Sequence, residues 1–206
     1  MWKISSWIKP SQHSDAHKIR ALEKLYAALD KEIARFQKAT GLQCLSGCGR
    51  CCENPQVETT VLELLPLATE LWKSKEAEPA IAKALQANLS GPCIFYKPDP
   101  LIAGKGRCAV YPWRPLICRL FGFSATTDKY GKPTLVTCSA IKQTYAQEYI
   151  FAEARIKSGR PVPSMGDFSR RAFHIDPNLG KDQLPINEAI VKALEKVGIR
   201  LKYAGR

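Results

Sequence analysis

The apolar residues near the start of the chain recur at a spacing typical of an amphipathic helix. They predict a helix from about Asp15 to Ala39, with Ser14 as its N-cap and Gly41 after its last turn. The apolar stripe consists of Ile19, Leu22, Tyr26, Leu29, Ile33 and Phe36. We expect this face to pack on the rest of the domain; the alternative is a short coiled coil that pairs two chains.

Two further helices are predicted between residues 60 and 90. Thr60 and Glu63 have the spacing of a capping box, and the helix that they start should be kinked or ended early by Pro66. Pro79 suits the first turn of a helix that runs to about Leu89.

The second half of the chain alternates between helix signals and stretches rich in glycine and proline. Helices are predicted from about Ile141 to Lys157 and from Asn187, as N-cap, onward, while residues 160–185 should wrap the surface. Residues 91–140 favour loops and short strands. The fold class expected is therefore mostly α, with an irregular cysteine-rich metal-binding core of loops and short strands packed by flanking helices.

Length and composition agree with one globular domain. The chain has 206 residues, of which 45% are hydrophobic and 24% charged, as in ordinary folded proteins. We expect a single domain over residues 1–206. Within it, an N-terminal helix (14–40) and C-terminal helices with a proline-rich wrap (141–206) should flank a cysteine-rich core (44–138).

The chain shows no apolar run of about 18 residues, which argues against a membrane span, and its first ten residues do not resemble a secretory signal. A cytoplasmic location is expected, where thiols stay reduced. The net charge is +12. Because no block of five like charges is present, nucleic acid is not an expected partner. Some of the basic residues should instead balance thiolate charge, namely Arg50, Arg107, Arg114 and Arg119, which lie close to cysteines in sequence.

Cysteine is the residue type that carries the chemistry. All eight cysteines lie between residues 44 and 138, and four of them fall within residues 44–52. Thiols packed this densely with short spacers are typical of metal binding. We expect zinc or iron, with an iron–sulfur cluster as one form, on all eight: Cys44, Cys48, Cys51, Cys52, Cys93, Cys108, Cys118 and Cys138.

The adjacent pair Cys51 and Cys52 bears on the number of metal sites. Two neighbouring thiolates fit one tetrahedron poorly, so this pair favours two metal centres or one polynuclear cluster, unless one cysteine only packs. Cys138 lies outside both cysteine motifs and has the alternative role of a buried packing residue.

A short helix is predicted from Pro115 to Phe121, with Cys118 in its first turn, where backbone amides stabilise a thiolate. Arg114 and Arg119 are candidates to donate to sulfur or to neutralise the site; the alternative is that they are ordinary surface arginines.

The order of the cysteines resembles that of a known family. Residues 44–52 read Cys-x3-Cys-x2-Cys-Cys, and residues 108–119 read Cys-Ala-Val-Tyr-Pro-Trp-Arg-Pro-Leu-Ile-Cys-Arg. Together these motifs resemble the cysteine-cluster family described as a zinc- or iron-chelating domain, over about residues 44–123. The resemblance implies bound zinc or iron. Some larger proteins with a similar cluster are associated with lysine methylation of flagellin, but no methyl-donor pocket signature is present here.

Several functions compete at this point. The leading interpretation is a cytoplasmic protein that holds zinc or iron through clustered thiolates, either to support the fold or to hand the metal on. An iron–sulfur protein with redox or methylation-related enzymatic activity is the alternative, and an interaction module with structural zinc is a third. The spacing of Cys44, Cys48 and Cys51 is also that of radical S-adenosylmethionine enzymes, but a long helix rather than a strand precedes it. No catalytic residue is assigned, and His13, His17 and His174 are not expected ligands.

Overall fold

The computed structural model describes residues 14–87, 89–102 and 105–204. Its helices, in chain order, are α1 (Asp15–Thr40), α2 (Arg50–Glu53), α3 (Leu65–Lys73), α4 (Ala77–Gln86), α5 (Leu116–Leu120), α6 (Ser139–Thr144), α7 (Ala146–Lys157), α8 (Met165–Phe173), α9 (Pro177–Gly180) and α10 (Ile186–Ala204). Two 3-10 turns cover Leu62–Leu64 and Tyr111–Trp113. The mostly α fold is therefore confirmed.

The strands are short and pair two by two. They are β1 (Glu58–Thr59), β2 (Tyr96–Pro98), β3 (Gly106–Cys108), β4 (Ser124–Thr127), β5 (Pro133–Val136) and β6 (Leu184–Pro185). Three antiparallel pairs form, β1 with β6, β2 with β3 and β4 with β5. Isolated two-stranded sheets are marginally stable in water, so these pairs depend on the helices around them.

Helix α1 forms where the sequence predicts it. The Ser14 side chain accepts a hydrogen bond from the amide of His17, and Gly41 ends the helix in the left-handed conformation with φ 78°. All six residues of the predicted stripe are buried within the chain, and α1 packs on α3, α5, α7 and α8. The stripe is thus a face packed on its own chain and not the seam of a coiled coil.

Helix α10 lies against α3 and α4. The indole Nε1 of Trp72 on α3 donates to the carbonyl oxygen of Leu194 at 2.8 Å, which fixes the two helices side by side. Ile190, Leu194 and Val197 of α10 are buried. None of the helices in the described part of the chain is long and apolar enough to cross a membrane.

Several predicted boundaries are wrong. Residues 50–53 lie in the cysteine-rich core, which is expected to consist of loops and short strands, but they form the single turn α2. The predicted helix over 141–157 is two helices, because Tyr145 has φ −118° and ψ 51° and interrupts the hydrogen-bond ladder. Residues 160–185 do not simply wrap the surface: helix α8 forms there and buries Phe168 and Ala172 against the core.

The capping box at Thr60 and Glu63 forms, but it starts a 3-10 turn that ends at Leu64, and α3 follows with Pro66 in its first turn. Helix α4 ends at Gln86, three residues before the predicted end. Asn187 is not an N-cap, because α10 already begins at Ile186.

Candidate metal centre

The fold distributes the eight cysteines over six places. Cys44 and Cys48 lie in the loop after α1, Cys51 and Cys52 lie on α2, and Cys93 lies between α4 and β2. Cys108 ends β3, Cys118 lies on α5, and Cys138 directly precedes α6. All eight are free thiols.

Backbone hydrogen bonds connect residues 47–52 to two segments that are distant in sequence and carry other cysteines. Gly47 adopts φ 67°, and its carbonyl oxygen accepts from the amide of Gly106 on β3 at 2.9 Å. The amide of Cys93 donates to the carbonyl oxygen of Cys52 at 3.0 Å. These main-chain contacts help to bring Cys52, Cys93 and strand β3, which ends at Cys108, to one place.

Tyr96 organises the same region. Its ring packs so closely on Gly49 and Gly106 that a Cβ atom at either glycine would overlap it. Its hydroxyl donates to Oε1 of Glu53 on α2 at 2.7 Å, and its backbone pairs with Cys108 across β2 and β3. The hydrogen bond to Glu53 raises the pKa of Tyr96 to about 12, so the hydroxyl stays a donor at neutral pH.

Helix α5 places Cys118 at the centre of the region. The Oε2 atom of the buried Glu63 accepts from the amide of Leu116 at 2.8 Å, and Glu63 Oε1 accepts from the hydroxyl of Thr60 at 3.1 Å. Burial raises the pKa of Glu63. The carboxyl group thus holds the start of α5 next to the 3-10 turn that precedes α3.

The two arginines of the second motif have different roles. Arg119 is 6% exposed, and its Nη1 atom donates to both carboxylate oxygens of Asp30 on α1, at 2.9 and 2.7 Å. Its guanidinium also lies over the ring of Tyr26, 4.5 Å from the centroid. The contacts of Arg119 with Asp30 and Tyr26 thus link α5 to α1 and do not involve a cysteine sulfur.

Arg114 lies among the thiols. Its guanidinium stacks on the Tyr111 ring, 3.4 Å from the centroid, and donates to the carbonyl oxygens of Tyr111 and Cys118 at 3.1 and 3.0 Å. Its positive charge favours the thiolates of Cys44, Cys51, Cys108 and Cys118. The predicted neutralising role therefore falls to Arg114, through charge and not through a hydrogen bond to sulfur.

Five thiols line one cavity of about 660 Å³ that lies against α1, which we call the large thiol cavity. Its cysteines are Cys44, Cys48, Cys51, Cys118 and Cys138. The Cys138 sulfur also accepts from the amide of Ile141 at 3.4 Å and so caps α6. Cys138 packs against the core and also lines the large thiol cavity. Its position is therefore compatible with both predicted roles, as a packing residue and as a metal ligand.

A second cavity, of about 130 Å³, adjoins the first and lies against α10; we call it the small thiol cavity. Its cysteines are Cys51, Cys52, Cys93, Cys108 and Cys118. The apolar side of this cavity includes Ile186 and Ile190 of α10. Two thiols, Cys51 and Cys118, line both cavities, and so do Tyr111 and Arg114.

The thiols differ in acidity because their surroundings differ. Burial raises the pKa of Cys44 and of Cys93 to about 11, and it raises the pKa of Cys118 further. The Cys52 thiol interacts with the sulfurs of both Cys51 and Cys108; these hydrogen bonds lower the pKa of Cys51 to about 6 and that of Cys108 to about 7 and hold the proton on Cys52.

The chemistry of this donor set fits zinc or iron, since soft thiolates select these metals and Cys51 and Cys108 are already acidic. Among the described residues, no three cysteine, histidine or carboxylate side chains are already grouped closely enough to hold one ion. The sulfurs instead surround the two cavities, so binding would draw them inward. His17 and His174 line neither thiol cavity, and His13 lies outside the described residues.

Sequence reasoning missed three residues that position cysteines: Tyr96, Lys83 and Asn187. Lys83 on α4 donates through Nζ to the carbonyl oxygen of Ile94. Asn187 on α10 accepts from the Ile94 amide at 3.0 Å and donates to the Pro92 carbonyl oxygen at 2.9 Å. No local pattern marks these residues, because their partners are distant in sequence.

Comparison with protein-family models matches residues 43–143 to the family CxxCxxCC, described as a "putative zinc- or iron-chelating domain". Neither the comparison with curated proteins nor the comparison with solved structures gave a match. The matched range includes all eight cysteines, Cys138 among them, and extends beyond the residues that carry the motif resemblance. Residues 43–143, about half of the chain, are thus a domain of the CxxCxxCC type, the family that the two motifs resemble.

Proposed function

We propose that the chain is a cytoplasmic metal-binding protein that holds zinc or iron through its clustered cysteine thiolates. The observation that carries this proposal is the convergence of eight free thiols, from six places in the chain, on two adjoining cavities. Metal binding by this family supports it. The ligands proposed are all eight cysteines.

The bound metal would have a structural role in the loop-rich part of the chain. The segments that carry Cys44 to Cys108 are loops, one helical turn and a two-stranded pair, which have little hydrogen-bonded structure of their own. Structural zinc in small metal-binding peptides contributes roughly 10–16 kcal/mol of apparent binding free energy, comparable with the stability of a whole domain. Thiolate bonds to metal would therefore stabilise these segments strongly.

The large thiol cavity also supports exchange of the metal with solution. Cys44 and Cys51 are exposed, so a metal there is within reach of a competing ligand. An iron–sulfur cluster would use the same thiols, and elemental composition distinguishes the two forms.

Purification without added metal and without oxygen tests the proposal. Elemental and acid-labile sulfide analysis should give zinc or iron at one or more atoms per chain, with sulfide only if a cluster is present. Cys108→Ser should lower the metal content, whereas the control Ser46→Ala, a change in the cysteine-rich loop that removes no thiol, should not. A folded, monodisperse protein without metal would contradict the proposal.

A further inference from the structure

We propose that the eight thiols form two separate four-sulfur metal sites, and that the adjacent residues Cys51 and Cys52 belong to different sites. This inference rests on the proposed function. The first site comprises Cys44, Cys48, Cys51 and Cys138, and the second comprises Cys52, Cys93, Cys108 and Cys118.

The lining of the two cavities divides six of the thiols. Cys44, Cys48 and Cys138 line only the large thiol cavity. Cys52, Cys93 and Cys108 line only the small thiol cavity. A tetrahedral thiolate site takes four ligands, so each group of three lacks one sulfur. Two shared thiols, Cys51 and Cys118, remain to complete the two sites.

The neighbours of each sulfur assign the two shared thiols. The largest electrostatic interactions of the Cys44 sulfur with other thiols are those with Cys48, Cys51 and Cys138. Cys118 interacts instead with Cys93, Cys51 and Cys108. Cys118 therefore completes the second site. Cys51 interacts with thiols of both groups, and since the first group still lacks a fourth sulfur, we assign Cys51 to it.

The single turn α2 gives this division a physical cause. Successive residues of a helix project about 100° apart around its axis, so adjacent side chains leave in different directions. The carbonyl oxygen of Cys52 is bonded to the amide of Cys93, which fixes Cys52 beside the second group of thiols. The two sulfurs remain in hydrogen-bond contact with each other, so the two sites would adjoin at α2.

Arg114 fits between two anionic sites. Four thiolates around a divalent ion carry a net charge of about −2, and two such sites in contact would repel each other. The Arg114 guanidinium borders both cavities and is held in place by the Tyr111 ring. Its positive charge favours thiolates of both groups, including Cys44 of the first and Cys118 of the second.

Cadmium-113 provides the test, because Cd²⁺ binds soft thiolates and reports each site as a separate NMR resonance. The full chain, stripped of metal and titrated with ¹¹³Cd²⁺ under anaerobic conditions, should bind two ions and give two resonances. Cys48→Ser should remove one resonance and Cys108→Ser the other. Cys51→Ser should then match Cys48→Ser, and Cys52→Ser should match Cys108→Ser.

The remaining resonance in each variant serves as its folding control. Ser139→Ala, which alters the large thiol cavity without removing a sulfur, should keep both resonances. Cys44→Ser and Cys93→Ser test the same division independently of α2, and they must remove different resonances.

Three results separate this inference from the proposed function. Loss of the same resonance, or of both, in Cys51→Ser and Cys52→Ser would overturn the division into two sites. One ion per native chain would overturn it too. If the native chain bound no cadmium and was purified without metal, the proposed function itself would fail.

Discussion

Asn187 holds the chain on both sides of Cys93. Its side-chain oxygen accepts from the amide of Ile94 at 3.0 Å, and its side-chain nitrogen donates to the carbonyl oxygen of Pro92 at 2.9 Å. Because Asn187 is fully buried on α10, this contact fixes Cys93 relative to the helical part of the molecule.

Asn187→Leu should therefore destabilise the protein and weaken metal binding together. The Ile94 amide would lose its partner in a buried position, at a cost of about 1–3 kcal/mol. Urea unfolding measures the first effect and metal content per chain the second. Asn178→Leu changes an exposed asparagine and should alter neither. Unchanged metal content in a destabilised Asn187→Leu would show that the contact supports the helices only.

Removal of Arg119 and removal of Asp30, the two partners of one ion pair, should lower the stability of the protein by very unequal amounts. Arg119 is 6% exposed and Asp30 is 53% exposed. After Asp30→Ala the guanidinium keeps its hydrogen bonds to the carbonyl oxygens of Arg114 and Pro112, so we expect a loss of about 1.5 kcal/mol, the lower end for hydrogen bonds to a charged group. Arg119→Met removes these hydrogen bonds together with the ion pair and should cost more.

A double-mutant cycle by urea unfolding measures the coupling in this pair. Arg170→Met serves as its control, because the exposed pair of Arg170 and Asp167, 3.9 Å apart, should contribute less than about 1 kcal/mol. Equal effects of Asp30→Ala and Arg119→Met would contradict the asymmetry.

The metal-free protein should have a stability maximum near pH 9. In the folded protein, hydrogen bonds from Cys52 lower the pKa of Cys51 to about 6 and that of Cys108 to about 7. Between these values and about pH 9 the unfolded chain therefore binds more protons than the folded protein, and stability rises with pH. Burial raises the pKa of Cys44 and Cys93 to about 11, so between pH 9 and 11 the unfolded chain binds fewer protons, and stability falls.

Urea unfolding of the metal-free and metal-loaded protein from pH 6 to 11 tests this prediction. In the loaded protein the ligands are already thiolates, so the fall above pH 9 should be absent there. Identical profiles for the two forms would contradict the assignment of these cysteines as ligands.

Substitution of Gly106 should separate the β2–β3 pair from the cysteine-rich loop. A Cβ atom at this position would overlap the Tyr96 ring, so Gly106→Ala should displace the ring, break its contact with Glu53 and lower the thermal midpoint. Gly166→Ala is the matched control on α8. The added carbon would meet no other part of the molecule there, and Gly166 lies in the first turn of α8, so alanine should not lower the thermal midpoint. A thermal midpoint for Gly106→Ala at or above that of the native protein would contradict this role of the ring.

Metal removal should loosen the molecule unevenly. Chelation should speed amide hydrogen exchange in residues 41–56, 91–102 and 105–110, which carry proposed ligands and have little regular structure, while α1, α3 and α10 keep their protection through apolar packing. Hydrogen exchange with mass spectrometry distinguishes this from uniform loosening, which would show that the metal is not a local support.

The elements that could be predicted from sequence are those whose signals are local. Helix α1 carries its cap at Ser14, its stop at Gly41 and its apolar stripe within one stretch, so its ends are correct to one residue. The break at Tyr145 has no proline or glycine to mark it, and α8 buries only Phe168 and Ala172, too few for a pattern between two proline-rich flanks.

The candidate site divides in the same way. The two motifs carry the resemblance to a known family, and the match of residues 43–143 to the model of that family confirms the resemblance. The grouping of Cys44 with Cys138, or of Cys52 with Cys108, depends on how the helices pack and is absent from any local pattern. Asn187 resembled a helix cap for the same reason, since its true partners lie more than 90 residues earlier.

The pairing of β1 with β6 has a consequence for the order of events during protein synthesis. Strand β6 directly precedes α10, the amide of Ile186 donates to the carbonyl oxygen of Val57 at 2.9 Å, and Ile186 and Ile190 line the small thiol cavity. A nascent chain therefore cannot enclose this cavity until residue 190 has left the ribosome. At usual rates of translation, the thiols up to Cys118 wait on the order of ten seconds in an open chain, where oxidants and competing metals reach them freely.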